Sequence, residues 1–203
     1  MINDLIIENW FPTTIGVCDY PYYMINKDKW LEYILSKPTR NGFGGDDYQP
    51  HNDKKMFGEL NDWITKQVNI YAQRHKFAYE YEAKESWFID YQPYDFNPWH
   101  CHTGYTISTI FYLQGNPKEV KTQFRNPVAD MKNPQNKMVK NDRHDTELYN
   151  EYTYHSCSYD TIPGRLLIFR SHTEHCTTQN TFDNKRIVFS YNFDPKIKIK
   201  DTE

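Results

Sequence analysis

The sequence has no apolar run approaching the roughly 20 residues that span a bilayer, and no charged leader followed by an apolar stretch opens it. A soluble protein of the cytoplasm, the host's if the source is viral, is expected. Cysteine is sparse: Cys18, Cys101, Cys157 and Cys176 lie far apart and form no C-x-x-C pair. That spacing excludes a zinc ribbon or a thioredoxin-like motif and predicts reduced thiols. Excess positive charge is also missing, with 24 Lys and Arg interleaved among 27 Asp and Glu for a net charge of −3. Such a balance builds no field for a phosphate backbone, so nucleic acid is not an expected partner. There is no internal repeat and no low-complexity tract.

Aromatic residues are abundant instead, with 17 Tyr, 12 Phe and 5 Trp making 17% of the chain. Large rings must fill much of the interior, which favours sheets. A chain of 203 residues can bury such a core as one domain without disulfides or structural zinc. The Asn-, Lys-, Ile- and Tyr-rich composition suits an AT-rich, phage-like source genome.

The periodicity changes once along the chain. Residues 1–76 read as an edge strand, DLIIENWFPTTIGVCDYP, followed by two supporting helices. In the first, NKDKWLEYILSKP, Trp30, Leu31 and Ile34 share a face, with Asn26 as the cap and Pro38 as the stop. The Gly- and Asp-rich TRNGFGGDDYQPHND reads as a loop. The second helix, MFGELNDWITKQVNIYAQRH, carries Leu60, Trp63, Ile64, Val68 and Tyr71 at intervals of three and four. From Phe77 the period becomes two, in short runs bounded by Gly, Pro, Asn and Asp, the pattern of an antiparallel sandwich or barrel. Residues 126–150 are polar and aperiodic, an insertion or a lid over the substrate. The expected architecture is mainly β with N-terminal helices, a jelly-roll core over 77–195 packed by two helices.

Two histidines stand one residue apart in NPWHCHTGYTISTIFYL, residues 97–113. On an extended strand, His100 and His102 project from one face while Cys101 points away. A third imidazole is available from His172 or His175 in LLIFRSHTEHCTTQN, where an apolar strand closes. Three ligands from two segments would leave opposite positions of a metal open for chemistry. Farther on, Arg186, Val188 and Ser190 alternate along KRIVFSYNF, so a guanidinium and a hydroxyl can receive a carboxylate in a dry pocket. Trp87 and Trp99 are candidates for the pocket wall, although each reads more simply as core.

Taken in order, these segments resemble the Fe(II)- and 2-oxoglutarate-dependent dioxygenases, in particular the prolyl-4-hydroxylase-like and putative 2OG-Fe(II) oxygenase groups. YQPYDFNPWHCH is similar to the segment that carries a tyrosine and then the H-x-D ligands, giving Tyr91, His100 and, at the aspartate position, His102. ISTIFYL resembles the strand whose tyrosine helps to hold the far carboxylate of 2-oxoglutarate, which falls on Tyr112. GRLLIFRSHTEH resembles the segment of the distal ligand, which selects His175 over His172, and RIVFS resembles the co-substrate anchor through Arg186 and Ser190.

The resemblance implies catalytic Fe(II) on His100, His102 and His175. It also implies 2-oxoglutarate held by Arg186, Ser190, Tyr112 and Tyr91, dioxygen as oxidant and ascorbate as a supporting reductant. Succinate and CO2 would leave as a prolyl, other peptide or small-molecule substrate is hydroxylated. His102 departs from the usual Asp or Glu, and three neutral imidazoles leave more charge on the metal and weaken the preference for iron over zinc. Asp95 and Glu174 are the carboxylates nearest in sequence that could restore it. The alternative reading is a cupin-like metal-binding protein without oxygenase activity.

Overall fold

A sheet covered on one face by helices and on the other by a second sheet must bury residues of both parities. Its strands then read as almost continuous apolar runs. The computed structural model has this arrangement; it describes residues 12–37, 39–40, 43–44, 48–118, 120–127, 154–180 and 185–196. In chain order the elements are β1 (Ile15–Asp19), α1 (Tyr23–Leu35), β2 (Thr39–Arg40), β3 (Phe43–Gly44), α2 (Lys54–Arg74), β4 (Tyr81–Tyr91), β5 (Asn97–His100), β6 (Ile107–Gln114), β7 (Lys121–Arg125), β8 (Ser156–Asp160), β9 (Arg165–Arg170), β10 (His175–Thr177) and β11 (Arg186–Pro195). A seven-stranded sheet runs β1-β9-β6-β11-β4-β3-β2 and faces a four-stranded sheet, β5-β10-β7-β8. The strand pairs are antiparallel. This is the jelly roll expected from the sequence, with two helices laid on the larger sheet. No helix among the described residues is long and apolar enough to cross a membrane.

Alternation decides what each face does. Phe88 of β4, Phe111 and Leu113 of β6, Leu166 and Ile168 of β9, and Ile187, Phe189 and Phe193 of β11 join Trp30, Ile34, Phe57, Leu60, Ile64 and Val68 in one core under the helices. Intervening residues Ile89, Ile110, Leu167, Phe169 and Val188 meet Phe124 in a smaller cluster between the sheets. Phe57 is fully buried, with its ring edge-on to Phe189 at 5.0 Å. Truncating a ring in such a place costs about 3–5 kcal/mol.

Several boundaries differ from those read in the sequence. Helix α1 begins three residues before Asn26, whose amide donates to the Tyr22 carbonyl at 3.1 Å from inside the helix and caps nothing. The expected loop after α1 contains the β2–β3 hairpin and a 3-10 turn at Pro50–Asn52. It ends at Asp53, which caps α2 by accepting from Met56 N at 3.0 Å. Asp53 also accepts from the Tyr33 and Tyr48 hydroxyls at 2.7 and 2.9 Å, tying α1 to the start of α2. Pro38 and nearly all of the 126–150 insertion lie outside the described residues. The four cysteines are free thiols, as expected.

Candidate metal centre and anion pocket

His100 ends β5 and His175 opens β10, and the two are direct partners across the antiparallel pair. That register alone brings their rings together, with centroids 4.3 Å apart. His102 arrives differently. It stands in the turn after β5, pinned by a hydrogen bond from its backbone N–H to the Ser171 carbonyl at 2.8 Å. Gly104 relieves that turn by taking a φ of 98°, which side chains with a Cβ rarely adopt. The H-x-H pair is therefore not carried on one extended strand, and His175 starts a short strand rather than closing the preceding one. The imidazoles still converge, with ligand atoms of all three within 4.8 Å of one another. His172 is exposed and outside the cluster.

Each ring is held by its Nδ1. His100 Nδ1 lies 2.7 Å from the Pro98 carbonyl and His175 Nδ1 lies 3.0 Å from the Thr173 carbonyl. Carbonyls only accept, so both Nδ1 atoms carry the proton and both Nε2 lone pairs are free. His102 Nδ1 is 2.7 Å from Asn192 Oδ1 and gives the same tautomer. Three neutral imidazoles oriented through Nδ1–H is the arrangement by which metal-binding histidines are normally supported. Burial, reinforced by His100, pushes the His175 pKa down from 6.5 to about 3, and burial also lowers that of His102. The His175 ring therefore remains neutral, and able to ligate, well into the acid range.

The three rings line a pocket that Arg186 also lines. Its guanidinium is 2% exposed and lies 4.7 Å above the Tyr91 ring, its cross-strand partner. Nε donates to Thr161 Oγ1 at 3.1 Å and one Nη to Thr122 Oγ1 at 3.2 Å, both neutral groups. The other Nη is buried with no hydrogen-bond partner among the described residues. A buried cation with an unused donor is costly to maintain, and an anion in the pocket would satisfy it. Ser190 and Val188 line the same wall, while Tyr112 stands behind the guanidinium with its hydroxyl donating to Thr122 at 2.7 Å. Gly115 makes room for this cradle, since a Cβ there would lie 2.3 Å from Thr161 Cγ2 and 3.6 Å from Arg186 Cγ.

Residues 85–192 match the family model described as Putative 2OG-Fe(II) oxygenase, a little over half of the chain. The chain belongs to this family. No curated protein matches the oxygenase. Among solved structures it is similar to AviO1 of Streptomyces viridochromogenes Tue57, at 10% identity and TM-score 0.59 over 93% of each chain. HygX of Streptomyces hygroscopicus, with nickel and 2-oxoglutarate bound, superposes with a TM-score of 0.61 at 10% identity, over 91% of this chain and 84% of HygX. A Pseudomonas putida prolyl-4-hydroxylase gives 0.57 at 9% identity, over 91% and 94%. At such identities the likeness is one of fold.

The oxygenase brings no carboxylate to its histidines among the described residues. Glu174 pairs with Arg125 at 3.0 Å, and Asp95 accepts from the Gln92 N–H at 2.8 Å. Trp87 belongs to the pocket wall, 5.5 Å from the His102 ring, whereas Trp99 is half-buried beneath the Arg125 guanidinium. Sequence reasoning missed Asn192, Ser108, Thr122 and Thr161. Asn192 was within reach, because it continues the alternation Arg186, Val188, Ser190. The two threonines have no such signal.

Proposed function

We propose that this protein is a 2-oxoglutarate-dependent oxygenase that binds Fe(II) through His100, His102 and His175 and hydroxylates a substrate, with release of succinate and CO2. The observation that carries this reading is the Arg186 donor, unpartnered among the described residues, in the pocket that the three imidazoles also line. A metal-storage or cupin-like role would explain the histidines but not a buried cation with a vacant donor.

The residues present fit both groups. The three Nε2 lone pairs would hold the metal, and the freed Arg186 Nη with the Ser190 hydroxyl would bind the outer carboxylate of the dicarboxylate. Tyr91 packs against the guanidinium, and Tyr112 steadies Thr122, which in turn positions Arg186. No carboxylate lines the pocket among the described residues, so its fixed charge is that of Arg186 and attracts a dianion. Trp87, Ile89, Ile110 and Val188 keep the interior apolar and restrict water. Bound Fe(II) supplies the activation of dioxygen, and the protein contributes orientation and exclusion of solvent. One oxygen atom enters the substrate C–H bond and the other enters succinate.

Anaerobic Fe(II) and 2-oxoglutarate followed by air, across a peptide and small-molecule panel with ascorbate present, should yield succinate. A His175→Ala variant should yield none. Equal succinate from the two proteins would remove the reading.

A further inference from the structure

Asn192 is the only one of the three Nδ1 acceptors that could present a donor instead. Rotating its amide by half a turn would place Nδ2 against His102, which would then keep its proton on Nε2 and lose its lone pair for a metal. The neighbours on that side do not prevent this. Ser108 Oγ lies 2.7 Å from Asn192 Oδ1, 3.1 Å from His102 Nδ1 and 2.8 Å from Ser171 Oγ, and a hydroxyl can donate or accept. Both amide orientations would satisfy Ser108 equally.

The other side does discriminate. Glu85 Oε2 lies 3.0 Å from Asn192 Nδ2, and an ionised carboxylate can only accept. The placement is built into the sheet: Glu85 on β4, Asn192 on β11 and Ser108 on β6 lie in register across three adjacent strands. Asn192 is 2% exposed and Ser108 fully buried, so no bulk water can substitute. His100 and His175 need no such device, because backbone carbonyls fix them directly.

We infer that Glu85 is a positioning residue which, through Asn192, sets the tautomer of His102 and so completes the three-imidazole site. The inference rests on the metal centre proposed above. It makes Glu85 a carboxylate that acts on the metal from two residues away, in a site whose own ligands are neutral.

The test uses the full chain, with Co(II) as the probe. Glu85→Gln has the same shape but offers a donor or an acceptor equally. It should lower Co(II) affinity about 10- to 100-fold, the usual effect of losing a group that supports a ligand. Imidazole 15N shifts of the metal-free variant should show His102 moving from the Nδ1–H form to a mixture. The double variant Glu85→Gln with Asn192→Asp exchanges amide and carboxylate. The carboxylate then on β11 can only accept from His102, while the amide then on β4 donates to that carboxylate, so affinity should return to within a few-fold of the parent. A merely structural role predicts no such rescue. An unchanged tautomer and unchanged Co(II) affinity in Glu85→Gln would overturn the inference. Failure of the parent protein itself to bind Co(II) would instead count against the metal centre, and the 15N shifts alone would then decide the role of Glu85.

Discussion

The two faces of the seven-stranded sheet use the same strands for opposite purposes. Toward the helices, β4, β6 and β11 present Phe88, Phe111, Leu113, Ile187, Phe189 and Phe193 to a close-packed apolar core. Toward the smaller sheet, the intervening positions present Glu85, Ser108, Tyr112 and Asn192, and also Tyr91, Arg186 and Ser190, which line a pocket where one Arg186 donor has no partner among the described residues. One face gathers stability, and the other spends some of it to hold charge and lone pairs ready. Because side chains alternate with a period of two, each face can change with little effect on its neighbour.

The sharpest test of that separation is a pair of truncations. Phe57→Ala should cost about 3–5 kcal/mol in urea denaturation while leaving Co(II) affinity of the folded protein unchanged. His175→Ala should lower Co(II) affinity by at least about 100-fold, with a smaller loss of metal-free stability at neutral pH than Phe57→Ala. Comparable stability losses from both would mean that the faces are not independent. Arg186→Met is expected to lower 2-oxoglutarate affinity about 10- to 100-fold, the scale of a lost charge-assisted hydrogen bond. Without ligand the same variant should be as stable as the parent or more so, because an uncompensated buried charge has been removed. Thermal shifts with and without 2-oxoglutarate read both effects.

Acid should weaken the site face first. His175 titrates near 3 in the fold against 6.5 in the unfolded chain, so between those values the unfolded chain binds the extra proton. Metal-free stability should be intact above pH 6.5 and fall as pH drops, by on the order of 2 kcal/mol at pH 5. His175→Ala should flatten that slope, and a persistent slope would assign it elsewhere. The smallest expected effect is that of Gly115→Ala, about 1 to 2 kcal/mol from crowding Thr161. It should also weaken 2-oxoglutarate binding, because Thr161 holds Arg186 Nε.

The same contrast explains what was legible in the sequence. The helix face announces itself: Leu60, Ile64, Val68 and Tyr71 recur with the helical period, and α2 forms there. The candidate ligand set was legible from its spacing and its resemblance to known oxygenases. Its local geometry was not, because β5 and β10 are only four and three residues long and their pairing arises from non-local register. Asn26 looked like a cap, yet α1 starts earlier and buries Trp30 and Ile34 regardless, packing having outweighed capping. Thr122 and Thr161 come from separate segments and meet Arg186 only in the fold, so no pattern along the chain could have named them.

The central claim is that His100, His102 and His175 share one cation through their Nε2 atoms. An anomalous-difference map from crystals of the full chain grown anaerobically with Fe(II), collected on both sides of the iron edge, tests it most directly. The account predicts one iron peak within bonding distance of all three rings, on the pocket side facing Arg186. Iron held elsewhere, or three rings with no shared peak between them, would contradict it.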